Sequence, residues 1–193
     1  AHGLGEHSGR YQNVVTPLLA EGISVWALDH RGHGQSDGQR GHVISFDQYL
    51  DDLKGVMNQA QGALPDDYPC FLMGHSMGGL IALRFAQKFP NLAAGIIVSS
   101  PALGLTVKVP AVKSGLGKIM SSLWPGLGLG NELDATKISH DPQVVSAYLE
   151  DPLVHDRVST RFFTELVSAM ETVDQQFASV KIPILMHVAV DDH

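Results

Sequence analysis

The sequence predicts an α/β chain built on a doubly wound, mostly parallel sheet, and three observations carry that reading. Short apolar runs, Ile23 to Leu28, Cys70 to Met73, Gly95 to Ser99 and Ile184 to Val190, alternate with helical patterns. The runs are almost continuously apolar, as strands covered on both faces are. The hexapeptide Gly74-His75-Ser76-Met77-Gly78-Gly79 lies between one run and the helix-like stretch Leu80 to Phe89. A Gly-x-Ser-x-Gly at a strand-to-helix corner is a turn so tight that any side chain at Gly74 or Gly78 would collide with its neighbours.

Taken in order, Tyr11, Val14, Val15, Leu18 and Leu19 share one face of a first helix that Gly22 ends. Ser45 with Gln48 reads as a capping-box start for a second, whose apolar positions are Phe46, Tyr49, Leu50, Leu53 and Met57. Leu80, Ile81, Leu83, Phe85 and Ala86 continue a third from the Ser76 corner. Right-handed crossovers would then gather ligands at the carboxyl ends of the strands. From about Leu103 to Gln176 the rhythm changes and no convincing strand is visible. The expected organisation is a core of residues 1–102 and 177–193 with a helical insertion of residues 103–176. That insertion carries Ile119, Met120, Leu123, Trp124, Leu127 and Leu129, more apolar side chains than a surface loop needs. A cap over a site and an ordinary helical subdomain both account for them.

Bulk properties agree with one globular unit: 193 residues, 44% apolar and 17% charged, can bury a sizeable core. A net charge of -7 lacks the basic footprint that nucleic acid needs, so no nucleic-acid partner is expected. One cysteine, Cys70, excludes an internal disulfide and is compatible with a reducing, cytoplasmic setting. No stretch approaches the roughly 18 apolar residues of a membrane span.

Serine is a poor nucleophile while its hydroxyl holds the proton, so Ser76 needs a base and a stabiliser for the developing oxyanion. The amide of Met77, directly after it at a helix N-terminus, suits the second task. A turn serine in a glycine cluster is the plainer reading of Ser76, and the strand before and helix after favour the nucleophile. His75 and Met77 are expected to offer their side chains to packing or lining. Asp29-His30-x-x-His33 with Asp37 has the residue types of a metal cluster, but Gly32, Gly34 and Gly38 mark a loop whose shape matters more, and no metal is expected. Asp141-Pro142 and Asp151-Pro152 read as helix-start or turn punctuation.

Three blocks together, His2-Gly3-Leu4-Gly5-Glu6-His7-Ser8-Gly9-Arg10-Tyr11, Asp29-His30-Arg31-Gly32-His33-Gly34-Gln35-Ser36 and Gly74 to Gly79, resemble the monoacylglycerol lipase and lysophospholipase branch of the α/β-hydrolase family, the serine aminopeptidase S33-like group. The resemblance runs through nearly the whole chain, and its first block is the most specific. It implies an α/β-hydrolase fold and a membrane-contacting cap over residues that hydrolyse glycerol esters of one fatty acid, a small-molecule lipid substrate, without a cofactor. It implies further that the loop His2-Gly3-Leu4-Gly5 supplies the second oxyanion amide, from Leu4. The triad order Ser, acid, His places the acid at the end of the last apolar run, where Asp192 matches and Asp191 is the alternative. Family members usually carry Gly-x-x-Asp there, whereas this chain has Ala189-Val190-Asp191-Asp192, which leaves the turn geometry open. His193 belongs to the acid's own loop, and the other nine histidines precede it. The base is therefore expected outside residues 1–193 and the core incomplete at both ends. Since loss of a triad histidine costs on the order of a million-fold in turnover, these residues alone should be nearly inert.

Overall fold

The structure is a computed structural model that describes residues 1–65, 68–104, 119–131 and 134–189. Its centre is a parallel sheet of β1 (Phe71–His75), β2 (Gly95–Ser99) and β5 (Ile184–His187), in the order β1-β2-β5. The register pairs Phe71 with Gly95 and His75 with Ser99, then Ile96 with Ile184 and Ser99 with His187. All three strands therefore end on one level, which is where the Ser76 corner sits.

The helices follow from the apolar spacing. α1 (Gln12–Ala20) and α2 (Asp47–Gly62) precede the sheet in sequence, and α3 (Met77–Lys88) leaves β1 directly. Phe46, Tyr49, Leu50, Leu53 and Met57 of the second pattern are all buried, as are Leu80, Ile81, Leu83, Phe85 and Ala86 of the third. α4 (Pro142–Glu150) starts as its sequence indicates: the Asp141 carboxylate caps the Gln143 amide and Pro142 fills the first turn. α5 (Thr160–Gln176) is capped by Ser159 and buries Phe162, Leu166, Ala169, Met170 and Val173 in the same core cluster as α3. Residues 160–176, read from sequence as part of the insertion, thus pack on the sheet's own helix.

Four expectations need correction. Ser45 does not cap α2. Phe46 holds the N-cap position, Ser45 Oγ accepts from Asp47 N (3.4 Å), and Gln48 reaches back to Ile44 N (3.1 Å), so the reciprocal pair is shifted along the chain. The region of residues 103–176 does contain strands, β3 (Gly128–Gly130) and β4 (Arg157–Ser159), paired antiparallel. At three residues each they are too short to show a period. Ile23 to Leu28 forms no ladder strand among the described residues. Nor are these runs covered on both faces as their apolar composition predicts: Ile23, Val25 and Trp26 are exposed, as are Leu185 and Met186 of β5. Between residues 23–28 and β1 runs a slot of about 310 Å³, lined by Val14, Leu18, Val25, Met57 and Leu72 among others. Ala1 pairs with that edge of β1: its N–H donates to Met73 O (2.7 Å) and its carbonyl accepts from His75 N (3.1 Å), one rung of a parallel ladder.

Candidate active site

Ser76 takes φ 51° and ψ −118°, a left-handed conformation that a residue with a side chain rarely adopts. It is held there by four hydrogen bonds. Its N–H donates to Ser99 O (3.0 Å), and its carbonyl accepts from Gly79 N (3.0 Å), Leu80 N (3.1 Å) and Ala102 N (3.0 Å). The glycines are required as the sequence indicates: a Cβ on Gly74 would strike the Gly78 backbone, and one on Gly78 would strike the Ala1 and His2 carbonyls. Backbone from three segments converges on this corner, and none of it can retreat.

The loop Ala1 to Gly5 lies across the corner. A Cβ on Gly3 would stand 3.4 Å from Ser76 Cβ, so this loop flanks the serine directly. Its shape is set by side chains. The Glu6 carboxylate accepts from Gly3 N (2.6 Å), from the Tyr11 hydroxyl (2.7 Å) and from Arg10 Nε (3.3 Å). Gly3 N–H is thereby occupied. Among the described residues the Leu4 and Met77 amides donate to no acceptor in the chain, the state an oxyanion donor needs. Burial and the Glu6 carboxylate hold the Tyr11 phenol protonated.

Beneath the loop lies a cluster of neutral histidines. His2 Nδ1–H donates to Gly3 O (2.8 Å), and His2 Nε2 accepts from His30 N (2.9 Å), which fixes the neutral tautomer. The His2 ring sits 4.5 Å from that of His30 and 5.4 Å from that of His33. Burial lowers His2 to about 4 and His33 to about 3, and pushes His30 well below the ordinary range. The segment read as a metal candidate is used as loop scaffolding: the Asp29 carboxylate accepts from Ser8 N and Gln35 N, each at 2.8 Å. Among the described residues no group of three or more His, Cys, Asp or Glu side chains is placed to hold a metal ion.

Contacts that sequence reasoning missed join this loop to α4. His7 Nε2 meets Asp151 Oδ2 at 2.8 Å, and Arg10 lies 4.7 Å from the centre of the Tyr148 ring. The hydrogen bond from His7 keeps the Asp151 carboxyl below its usual range. The only signal was the block Glu6 to Tyr11 itself, because partners such as His7 and Asp151, 144 residues apart, leave no local pattern. Asp191, Asp192 and His193 lie outside the described residues. The strand that leads to them does end beside the serine: His187 is in register with Ser99, whose carbonyl holds Ser76 N–H. Among the described residues no histidine hydrogen-bonds to the Ser76 hydroxyl, and the geometry they present is a serine at positive φ beside the Leu4 and Met77 amides.

Comparison with known proteins agrees with the fold. The sequence matches the family described as serine aminopeptidase, S33, over residues 1–193. It is 35% identical over 187 residues to a monoacylglycerol lipase of Mycolicibacterium smegmatis, covering 96% of this chain and 66% of that protein. It is 34% identical to a phospholipase of Bacillus subtilis, covering 99% and 73%. The crystal structure of a Paleococcus ferrophilus monoacylglycerol lipase superposes with a TM-score of 0.88 at 38% identity, over 97% of this chain and 70% of that one. Against a monoglyceride lipase of Rattus norvegicus the chain spans 61% of the relative's length. The architecture is that of an α/β-hydrolase.

Proposed function

Because this chain belongs to the serine aminopeptidase S33 family of α/β-hydrolases, we propose that it carries the nucleophile and oxyanion hole of a serine ester hydrolase acting on single-acyl glycerol esters. The observation that carries the reading is Ser76 itself. A serine held at φ 51° between a parallel strand and a helix, flanked by a loop with a free amide, has its hydroxyl presented and its backbone over-determined.

In this mechanism Ser76 Oγ attacks the ester carbonyl carbon while a histidine acting as general base takes its proton. Asp192 orients that histidine and stabilises its cationic form. The Leu4 and Met77 amides receive the negative charge on the carbonyl oxygen. When the tetrahedral intermediate collapses, the histidine returns the proton to the departing glycerol oxygen and the acyl group stays on Ser76. Water, deprotonated by the same histidine, then attacks the acyl carbonyl; as the bond from Ser76 Oγ to the acyl group breaks, the histidine returns that proton to Ser76 Oγ and the fatty acid leaves. No cofactor enters.

The substrate class is supported by the lipases to which the chain is similar and by the apolar side chains at residues 119–129, where Ile119, Leu123, Trp124 and Leu129 are exposed. In this reading they give a cytoplasmic protein peripheral contact with the lipid surface that holds its substrate. No helix among the described residues is long and apolar enough to cross a membrane. A second reading, lysophospholipase, is favoured by the phospholipase relative. Turnover of monoacylglycerol, lysophosphatidylcholine and short p-nitrophenyl esters by the full-length chain decides between them. Preference for short acyl chains overturns both lipid readings in favour of a broad carboxylesterase. Absence of any turnover or fluorophosphonate labelling at Ser76 leaves a non-catalytic acyl-binding module.

A further inference from the structure

The loop that flanks the serine could turn at Gly3, because a glycine lets the peptides on either side of it rotate with little steric cost. Two side chains prevent that. The peptide before Gly3 is held by its N–H, which donates to Glu6 Oε1 (2.6 Å). The peptide after it is held by its carbonyl: Gly3 O accepts from His2 Nδ1–H (2.8 Å). Among the described residues no peptide bond is cis, and in a trans peptide the carbonyl and the N–H point in opposite directions. With Gly3 O drawn to the histidine cluster, the Leu4 N–H of the same peptide faces away from it.

Glu6 is itself fixed. The 3₁₀ turn Ser8–Tyr11 brings its other two partners round to it, the Tyr11 hydroxyl on Oε1 (2.7 Å) and Arg10 Nε on Oε2 (3.3 Å). Only a glycine at position 3 admits the carboxylate so closely, since a Cβ there would lie 2.7 Å from Glu6 Oε1. At the far end of the loop Gly5 O accepts from His155 N (2.9 Å). Leu4 therefore lies between two pinned residues, and its N–H, which has no acceptor in the chain, has one direction. Each pin at Gly3 holds one of the two peptides. Removing Glu6 leaves the Gly3 dihedrals unconstrained on that side and lets the Leu4 amide swing about the remaining His2 contact.

We propose that Glu6 is a positioning residue for the oxyanion hole: its carboxylate takes Gly3 N–H, locks the loop at Gly3 together with His2, and so fixes the direction in which Leu4 N–H meets the carbonyl oxygen of the substrate. The inference rests on the mechanism proposed above, in which Leu4 supplies one of the two oxyanion donors. With three donors of its own chain on its carboxylate, Glu6 acts through Leu4 and not by touching the substrate. An amide aimed at that oxygen matters most once the oxygen carries charge, so the effect falls on the transition state more than on substrate binding.

The test uses the full-length chain with Glu6→Ala, Glu6→Gln and Tyr11→Phe. Ala removes the acceptor from Gly3 N–H, Gln keeps an acceptor oxygen without the charge, and Phe removes one of the donors that hold the carboxylate. Glu6→Ala is expected to lower kcat about ten- to a hundredfold with KM within about twofold, and Glu6→Gln to recover most of that loss. Each variant is assayed on a carboxylic ester and on the matching thionoester. Sulfur accepts hydrogen bonds weakly, so the thionoester gains little from the oxyanion amides and the ratio of the two rates reports them. That ratio should fall about tenfold in Glu6→Ala and about two- to threefold in Tyr11→Phe, and hold near the unsubstituted value in Glu6→Gln. A general loss of structure lowers both rates together. An unchanged ratio in Glu6→Ala, or in Tyr11→Phe where Glu6→Ala does not fold, overturns the inference, and with Ser76→Ala inactive it leaves the proposed function standing. A ratio in Glu6→Gln as low as in Glu6→Ala also overturns it. If the unsubstituted full-length chain neither labels with fluorophosphonate nor hydrolyses an ester, both fail together.

Discussion

Acidification from pH 7.5 to 5.5 should destabilise this fold through the histidine cluster under the oxyanion loop. His2, His30 and His33 are buried, and in the folded state burial lowers His2 to about 4 and His33 to about 3, with His30 also well below the ordinary value. In the unfolded chain each titrates near 6.5. Below that pH the unfolded state binds protons that the native state refuses, so native stability is complete above 6.5 and falls as the pH drops toward the folded values. At pH 5.5 each histidine is about nine-tenths protonated when unfolded and still neutral when folded, which costs about 1.4 kcal/mol apiece and about 4 kcal/mol for the three. That is a large share of the roughly 5–15 kcal/mol that holds a typical domain. Denaturant unfolding followed by circular dichroism at pH 7.5, 6.5 and 5.5, at constant ionic strength, measures it. His30→Leu removes one of the three protons and two ring nitrogens that have no hydrogen-bond partner, so the pH slope should shrink by about a third. An unfolding free energy that stays flat between pH 7.5 and 5.5, or a slope that His30→Leu leaves unchanged, refutes the argument.

The two acid candidates separate by substitution in the full-length chain: Asp192→Asn should cut turnover by about four orders of magnitude, and Asp191→Asn by far less, as steady-state ester hydrolysis will show. Gly78→Ala should yield little folded protein, because the added Cβ has only the Ala1 and His2 backbone to meet; a soluble, fully active product would contradict that packing. Phe162→Ala, which empties the space of a fully buried ring on α5, should lower stability by about 3–5 kcal/mol in denaturant titration. Replacing exposed Leu123 and Trp124 by serine should weaken co-sedimentation with phosphatidylcholine vesicles roughly tenfold, and unaltered binding would remove residues 119–129 from the membrane contact.

Much of the fold was legible because it rests on local rules. The Ser76 elbow, the buried faces of α2 and α3, β2 from Gly95 to Ser99, and the Asp141 cap of α4 each declare themselves within a dozen residues. The α2 cap was misplaced locally, by one residue, from Ser45 to Phe46; the other misses depend on a partner distant in sequence. Ile23 to Leu28 has a strand's composition but no ladder neighbour among the described residues, and β3 and β4 exist only because 128–130 and 157–159 meet. Glu6 was legible as part of a block, yet its task of occupying Gly3 N–H and leaving Leu4 free emerges only from coordinates.

By itself, then, the sequence determined which residue is the candidate nucleophile and why it can sit where it does, since glycines at 74 and 78 and an apolar strand are properties of adjacent residues. The tertiary structure decided what surrounds it: the neutral state of His2, the His7 link to Asp151, and the hold of Glu6 on Gly3. Those depend on which backbone amides and carbonyls are brought within about 3 Å of one another, and no order of residues along a chain states that until the chain has folded.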